Sequence, residues 1–195
     1  MALARVCVYC GANRGNDPAY AQAAQAMGRV LAARGIGVVT GGGRVGLMGI
    51  VADAVLEAGG SVTGVIPEAL MTKELAHRGL TDLVVTSSMH ERKSTMAELA
   101  DAFVALPGGL GTCEELFEIW TWAQLGWHRK PCGVLNAAGY YDKLVAFVDS
   151  AADAAFLKPE HRAMLVVERD PDRLLDRFEA YVAPSVAKWI GHDQT

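Results

Sequence analysis

The residues best suited to chemistry form one stretch, residues 107–115, in which a glycine-rich loop leads into a helix. An apolar run over residues 102–106 predicts a short buried strand, which the following proline and glycines interrupt. Helical spacing then begins at Thr112, with two glutamates in the first predicted turn. Glycines let backbone N–H groups face a ligand, and a helix start adds unpaired donors and a positive dipole end. The local pattern fits a phosphate-binding loop and a simple turn capped by Thr112 equally well.

Glu115 is the carboxylate in this stretch with the clearest chemical potential. In the first turn of a helix the dipole favours the ionised form of a carboxyl group. An ionised carboxylate suits a general base or a group that stabilises an oxocarbenium-like transition state. It suits a general acid poorly, because an acid needs a raised pKa.

Arg92 is the candidate cation, and it lies beside Lys93 at a predicted helix start just past a strand. Two cations there oppose the helix dipole, so a solvated charged face is one interpretation. The other is that Arg92 points toward the glycine loops. Its guanidinium stays cationic and has a planar fork that suits phosphate or a polarised base.

The elements that must position these residues alternate between strand and helix along the whole chain of 195 residues. Several predicted strands are apolar on consecutive residues, as in a parallel sheet covered on both faces. This pattern predicts an α/β fold, a Rossmann-like doubly wound parallel sheet with helices on both faces, in a single domain over residues 1–195. In such a fold the loops at Gly11, Gly41 and Gly108, which all follow strands, gather at the carboxyl edge where ligands bind.

The composition restricts the classes of partner. No apolar run is long enough to cross a bilayer, and the N-terminus lacks a signal segment, so we expect a cytoplasmic protein with no membrane partner. A net charge of −4 and a pI near 5.7 give no basic surface for nucleic acid. We therefore expect a small-molecule ligand.

The spacing G-x-G-x-x-G over residues 41–46 formally matches the dinucleotide fingerprint. The match is weak, because it follows the second strand and Glu68 is far along the chain for a ribose contact. A glycine-lined contact with a nucleotide or a sugar phosphate is the better interpretation, and an NAD-linked enzyme is a weaker alternative.

Cys7 and Cys10 have the C-x-x-C spacing of redox and zinc sites. Cys7 lies inside a strand-like run, and the sequence has no second ligand pair, so buried free thiols are the better prediction. The five histidines show no metal-ligand spacing, and we predict no metal.

The combined motifs resemble the LONELY GUY family, whose signature P-G-G-x-G-T-x-x-E matches residues 107–115. Residues 89–93 resemble its second signature, with the Arg-Lys pair intact, and the likeness extends from about residue 6 to about residue 181. Other segments that look like family sequence are residues 41–43, 46–49 and 121–126. The resemblance implies a Rossmann-like homodimer. It also implies hydrolysis of the N-glycosidic bond in N6-substituted adenosine 5′-monophosphates, and in AMP for many members, to free base and ribose 5-phosphate.

The resemblance implies that Arg92 and Glu115 are catalytic, and we expect their reaction to need no metal or redox cofactor. The residues that it implies for substrate binding are Gly42, Gly43, Glu74, Met89, Lys93, Gly108, Gly109, Leu110, Gly111, Thr112, Cys113, Glu114 and Thr121. The first loop departs from the Gly-Ser-rich family pattern and reads Gly11-Ala12-Asn13. A serine contact there is lost or taken over by Asn13, which affects substrate preference and not the reaction class.

Two further interpretations come with the resemblance. Related Rossmann-like proteins carry molybdenum cofactor or nucleotides without hydrolysing them, although such a carrier would not need both Arg92 and Glu115. Relatives have also been labelled lysine decarboxylases, but nothing in the sequence suggests a pyridoxal phosphate site. The preferred N6 substituent, and the choice between hormone activation and AMP clearance, stay open.

Overall fold

The computed structural model describes residues 2–71 and 76–184, so the predicted binding residue Glu74 lies outside the described residues. Its strands are β1 (Arg5–Tyr9), β2 (Gly37–Thr40), β3 (Val62–Pro67), β4 (Asp82–Thr86), β5 (Ala102–Ala105), β6 (Cys132–Leu135) and β7 (Leu165–Glu168). They form one sheet in the order β4-β3-β2-β1-β5-β6-β7, and every pairing in it is parallel.

The helices are α1 (Pro18–Ala33), α2 (Gly46–Glu57), α3 (Met89–Leu99), α4 (Leu110–Gln124), α5 (Asp142–Asp153), α6 (Pro159–Arg162) and α7 (Pro171–Glu179). The cap signal before α1 works as predicted, since the Asp17 side chain accepts from the N–H of Ala19 at 2.8 Å and Pro18 occupies the first turn. None of the helices in the described ranges combines the length and apolar character needed to cross a bilayer.

Helices cover both faces of the sheet. Side chains of α1, α2 and α7 pack on one face in a core that includes Met27, Val51 and Phe178. Side chains of α3, α4 and α5 pack on the other face, where Met96 and Leu116 are buried. The predicted Rossmann-like doubly wound sheet is confirmed, and burial on both faces explains why its strands are continuously apolar.

Strand β1 lies in the middle of the sheet and contributes to both cores. Val6 and Val8 face one core, while Cys7 and Tyr9 face the other. Cys7 and Cys10 are buried free thiols, as predicted. Burial, and after it the charge of Glu115, raises the pKa of the Cys10 thiol, so this thiol stays protonated.

The direction of the chain reverses at β1. From β1 the strands proceed outward to β4, and the chain then returns to add β5 on the other side of β1. The loops after β1 and β5 therefore separate helices on opposite faces and leave a crevice at the carboxyl edge. Across this crevice the N–H of Gly11 donates to the carbonyl of Pro107 at 3.0 Å.

Candidate active site

A cavity of about 520 Å³ opens at this crevice, a volume typical of small-molecule sites. Its walls come from the loops after β1 and β5 and the start of α4, with further side chains from α1, α2, α3 and the turn after β6. The lining residues are Cys10, Gly11, Ala12, Asn13, Arg14, Gly15, Asn16, Tyr20, Leu47, Met48, Arg92, Pro107, Gly108, Gly109, Gly111, Thr112, Glu115 and Tyr140. The site thus forms where the fold predicted it.

The glycine loop after β5 passes directly into α4. The helix begins at Leu110 with Gly109 as its N-cap, so the prediction that Thr112 caps it is wrong. Gly109 already has its carbonyl in the helical pattern, where it accepts from the N–H of Cys113 at 3.1 Å. Within the described residues, the backbone N–H groups of Gly109, Leu110, Gly111 and Thr112 find no acceptor. Such a row of donors at a positive helix end is suited to bind an anion.

Gly108 is required by its contact with Thr112. A Cβ at Gly108 would lie 2.1 Å from the hydroxyl oxygen of Thr112 and 2.8 Å from the backbone nitrogen of Gly11. Only glycine lets the two loops and the first turn of α4 approach this closely. The close approach brings the donors of the loop and the Thr112 side chain to one wall of the cavity.

Glu115 lies in the second turn of α4, because the helix starts earlier than predicted. The expectation that the helix dipole holds it ionised is therefore wrong, since that effect fades within the first turn. A cation is close instead: Nη2 of Arg92 lies 3.8 Å from Oε1 of Glu115, and the two side chains are only 7% and 14% exposed. The guanidinium and the carboxylate attract each other at this distance, and little water screens the pair.

Arg92 is buried at the start of α3 and is fixed by contacts along its guanidinium. Its Nε donates to the carbonyl of Val65 at 3.2 Å, and Nη1 contacts the sulfur of Met89 at 3.8 Å. The loop after β2 makes room for it, since a Cβ at Gly41 would lie 2.0 Å from Nη2 of Arg92. The second glycine loop thus shapes the site indirectly, by admitting the arginine.

Lys93, next to Arg92, turns in a different direction. Its Nζ lies 2.7 Å from Glu114 and 2.8 Å from Glu118 on α4. Burial alone would lower the pKa of Lys93, but the hydrogen bonds to Glu114 and Glu118 outweigh it and raise the pKa. These pairs join α3 to α4 outside the cavity wall.

The structure brings together only part of the residue set that the sequence indicated. Arg92, Glu115, Gly108, Gly109, Gly111 and Thr112 line the cavity. Gly42 accepts from the N–H of His77 at 2.9 Å, and Gly43 pairs with Ala76, so both glycines pair with the segment that precedes β4 and not with the cavity. The remaining predicted residues that lie off the cavity wall are Met89, Lys93, Leu110, Cys113, Glu114 and Thr121.

Several lining side chains were not predicted from the sequence, among them Arg14, Tyr20 and Tyr140. Arg14 sits in the first glycine loop and makes no ion pair within the described residues. Its signal was available, because that loop was expected at the carboxyl edge. Tyr140 follows β6 and gave no local signal, since only the strand order brings it to the loop after β5. Among the described residues, no group of three His, Cys, Asp or Glu side chains is placed to hold a metal ion.

Comparison with known proteins gives the family. Residues 48–178 match the family model described as "Possible lysine decarboxylase". The cytokinin riboside 5′-monophosphate phosphoribohydrolase LOG7 of Arabidopsis thaliana is 48% identical over 177 residues, which cover 91% of this chain and 82% of that protein. A rice protein (Oryza sativa subsp. japonica) named "Probable cytokinin riboside 5′-monophosphate phosphoribohydrolase LOGL9" is 51% identical, with 91% and 78% covered. The chain belongs to the LONELY GUY family.

The two LONELY GUY signatures, residues 89–93 and 107–115, meet at the cavity through Arg92 and Glu115. Solved structures with the same fold include the molybdenum cofactor binding protein of Rippkaea orientalis, with a TM-score of 0.68, 19% identity, and 92% of this chain and 98% of that chain covered. The molybdenum cofactor carrier protein of Chlamydomonas reinhardtii gives a TM-score of 0.69 at 21% identity, with 91% and 98% covered. At these identities the likeness establishes the fold alone.

Proposed function

We propose that this LONELY GUY protein hydrolyses the N-glycosidic bond of N6-substituted adenosine 5′-monophosphates, and of AMP, to release the base and ribose 5-phosphate. The observation that carries the proposal is one cavity with a row of backbone donors on one wall and the Arg92–Glu115 pair, 3.8 Å apart, on the next. An anion site and a carboxylate–guanidinium pair are what cleavage of a nucleoside monophosphate needs.

The backbone donors of Gly109, Gly111 and Thr112, which line the cavity, hold the 5′-phosphate in this proposal. N–H groups at a helix start bind a phosphate without a lysine, because the donors and the dipole act together. Binding of the phosphate fixes the ribose near Glu115, one turn further along α4. Remote binding energy of this kind supports catalysis by orienting the reacting carbon.

Glu115 acts at the anomeric carbon. As the bond from C1′ to the base nitrogen lengthens, positive charge grows on the ribose, and the carboxylate stabilises it. A water molecule adds to C1′ and gives its proton to Glu115, while the bonding electron pair leaves with the purine. Return of that proton to the departing base regenerates the carboxylate, so the step balances as a hydrolysis.

Arg92 stabilises the negative charge that the leaving purine acquires. Its guanidinium is always protonated, and burial strengthens its field because little water screens it. The contacts to Val65 and Met89 hold it in place before the substrate arrives. Such preorganised charge acts without a reorganisation cost during the reaction.

A homodimer is part of the proposal. Exposed apolar side chains lie on α3 and α4, the helices that carry Arg92 and Glu115: Met89 is 43% exposed, Leu110 91% and Phe117 37%. A second copy would cover such surface next to the cavity. Light scattering coupled to size-exclusion chromatography measures the mass; a monomer at micromolar concentration would contradict this part.

The reaction itself is tested by chromatography of the products formed from AMP and from isopentenyl-AMP. The proposal expects free base and ribose 5-phosphate in equal amounts from at least one of them. Binding of both nucleotides without release of base would contradict hydrolysis and favour a carrier.

A further inference from the structure

The carbonyl groups of the loop after β5 are all engaged inside the protein. Leu106 accepts from the hydroxyl of Tyr141 at 2.6 Å, and Pro107 accepts from the N–H of Gly11 at 3.0 Å. Gly108 accepts from the hydroxyl of Tyr140 at 2.5 Å. The carbonyl groups of residues 106–108 are thus all hydrogen-bonded within the protein. The backbone N–H groups of residues 109–112, which follow them, have no acceptor within the described residues.

The hydrogen bond of Tyr140 differs from the other two in its location. Gly108 and Tyr140 both line the cavity, whereas Leu106, at the start of the loop, is fully buried. The Tyr140 ring packs edge-on against Tyr20 at 5.3 Å and against Tyr141 at 5.0 Å. The ring is therefore held on two sides, and its hydroxyl reaches the loop from a fixed position.

A carbonyl oxygen on the wall of an anion site opposes the ligand. Its partial negative charge repels a phosphate oxygen unless a donor occupies it. The carbonyl of Gly108 also shares a planar trans peptide with the N–H of Gly109, so the two groups point in opposite directions. A bond that fixes the carbonyl consequently fixes the N–H. Two successive glycines give this peptide little rigidity of their own.

We propose that Tyr140 is a positioning residue for the phosphate of the substrate, because its hydroxyl holds the Gly108 carbonyl and so orients the Gly109 N–H toward the anion. This inference rests on the proposed function, since it assigns the phosphate to the donors of Gly109, Gly111 and Thr112. It predicts that the hydroxyl governs affinity for phosphorylated ligands and has little influence on ligands without phosphate.

The test is calorimetric titration of the full chain with ribose 5-phosphate and with adenosine. Tyr140→Phe and Tyr140→Ala both remove the hydroxyl, and Tyr141→Phe removes the equivalent donor to the buried Leu106. We expect the Kd for ribose 5-phosphate to rise about tenfold in both Tyr140 variants, as a weakened hydrogen bond from the Gly109 N–H to the phosphate would give. The Kd for adenosine stays within twofold. Tyr141→Phe lowers Tm and leaves the Kd for ribose 5-phosphate unchanged.

Three results would overturn the inference: an unchanged Kd for ribose 5-phosphate in Tyr140→Phe, a loss confined to Tyr140→Ala, or an equal loss of adenosine affinity. Either of the first two results would show that the hydroxyl has no role and that any effect comes from the ring. The third would show that Tyr140 affects the packing of the whole site. Failure of the proposed function is a separate result, because it is measured as the absence of base release from AMP by the wild-type chain, whatever the titrations give.

Discussion

Arg92 and Lys93 are adjacent on α3, and each faces a glutamate from the adjacent pair Glu114 and Glu115 on α4, yet the two cations differ in their surroundings. Lys93 makes two close ion pairs, at 2.7 and 2.8 Å, outside the cavity. Arg92 lies in the cavity wall, 3.8 Å from Glu115, which is too far for a direct hydrogen bond. Lys93 and Glu114 thus join α3 to α4, whereas the neighbouring Arg92 and Glu115 line the cavity.

The difference shows how one short motif serves both structure and chemistry. Two of the three N–H donors of Lys93 are already held by the carboxylates of Glu114 and Glu118. Nη2 of Arg92 has no hydrogen bond within the described part of the chain, so it can donate to a substrate. Successive residues on a helix point about 100° apart, and this rotation separates the two roles.

Arg92→Ala should have the largest effect among the variants that test this difference between Arg92 and Lys93. Loss of the buried guanidinium should lower kcat/KM for AMP by about a thousandfold or more, because preorganised charge stabilisation is lost. Circular dichroism should stay unchanged. The matched variant Lys93→Ala should retain activity within a few-fold, and an equal loss in both variants would contradict the division of roles.

Gly41→Ala should have the next largest effect. The new methyl group would lie 2.0 Å from Nη2 of Arg92, so the guanidinium must move while the backbone is undisturbed. We expect kcat/KM to fall about ten- to a hundredfold with a small change in Tm. Gly37→Ala, at the start of the strand that precedes Gly41, is the control, because there the nearest atom is the flexible Ser61 hydroxyl at 3.1 Å. A fully active Gly41→Ala would show that the arginine position does not matter.

Lys93→Met should act on stability and leave catalysis nearly intact. Loss of the two ion pairs should lower the free energy of unfolding by about 1 kcal/mol, with KM for AMP unchanged. The folded-state pKa of Lys93 is raised, so its contribution is fully present below the ordinary lysine value of 10.5 and is lost as pH rises through the folded value. Denaturant titrations at pH 8 and pH 11 measure this. A raised KM would instead support the nucleotide contact that the family signature implies.

The smallest effect is expected from Glu91→Gln in the cap of α3. The backbone and hydroxyl of Ser87 donate to the Glu91 carboxylate at 2.7 and 2.6 Å, and these bonds lower the pKa of Glu91. Their stabilisation is present above the ordinary glutamate pKa of 4.5 and is lost as pH falls through the folded value. Tm should drop slightly at pH 7 and match the wild type near pH 3. An equal drop at both values would point to a different cause.

Sequence patterns predicted the sheet, its helices and the crevice because each depends on local signals. The buried runs at Val6 and Phe103, the cap at Asp17 and the glycine breaks each specify a short element, and parallel connectivity then gathers the loops. The helix start was misplaced by two residues, since Gly109 caps α4 through its backbone and carries no side-chain signal.

The rest of the site depends on contacts that no local pattern encodes. The sequence singled out Arg92 as the candidate cation but could not predict that Lys93 turns away from the cavity, because the direction of each side chain is set by α4 and by the space at Gly41. Tyr140 was missed because it contacts Gly108, 32 positions earlier in the chain, only through the pairing of β6 with β5. The family resemblance predicted the catalytic roles, whereas tertiary packing determines which of the adjacent residues line the cavity.

The most direct test of the proposed roles compares Glu115→Gln with Glu114→Gln, two isosteric changes at adjacent positions of α4. Adenine release from AMP is measured for both under saturating substrate. We predict that Glu115→Gln loses at least a hundredfold in kcat, because the reacting carboxylate is gone, while Glu114→Gln stays within threefold of the wild type. Wild-type release by Glu115→Gln, or an equal loss in both variants, would contradict the assignment of chemistry to Glu115.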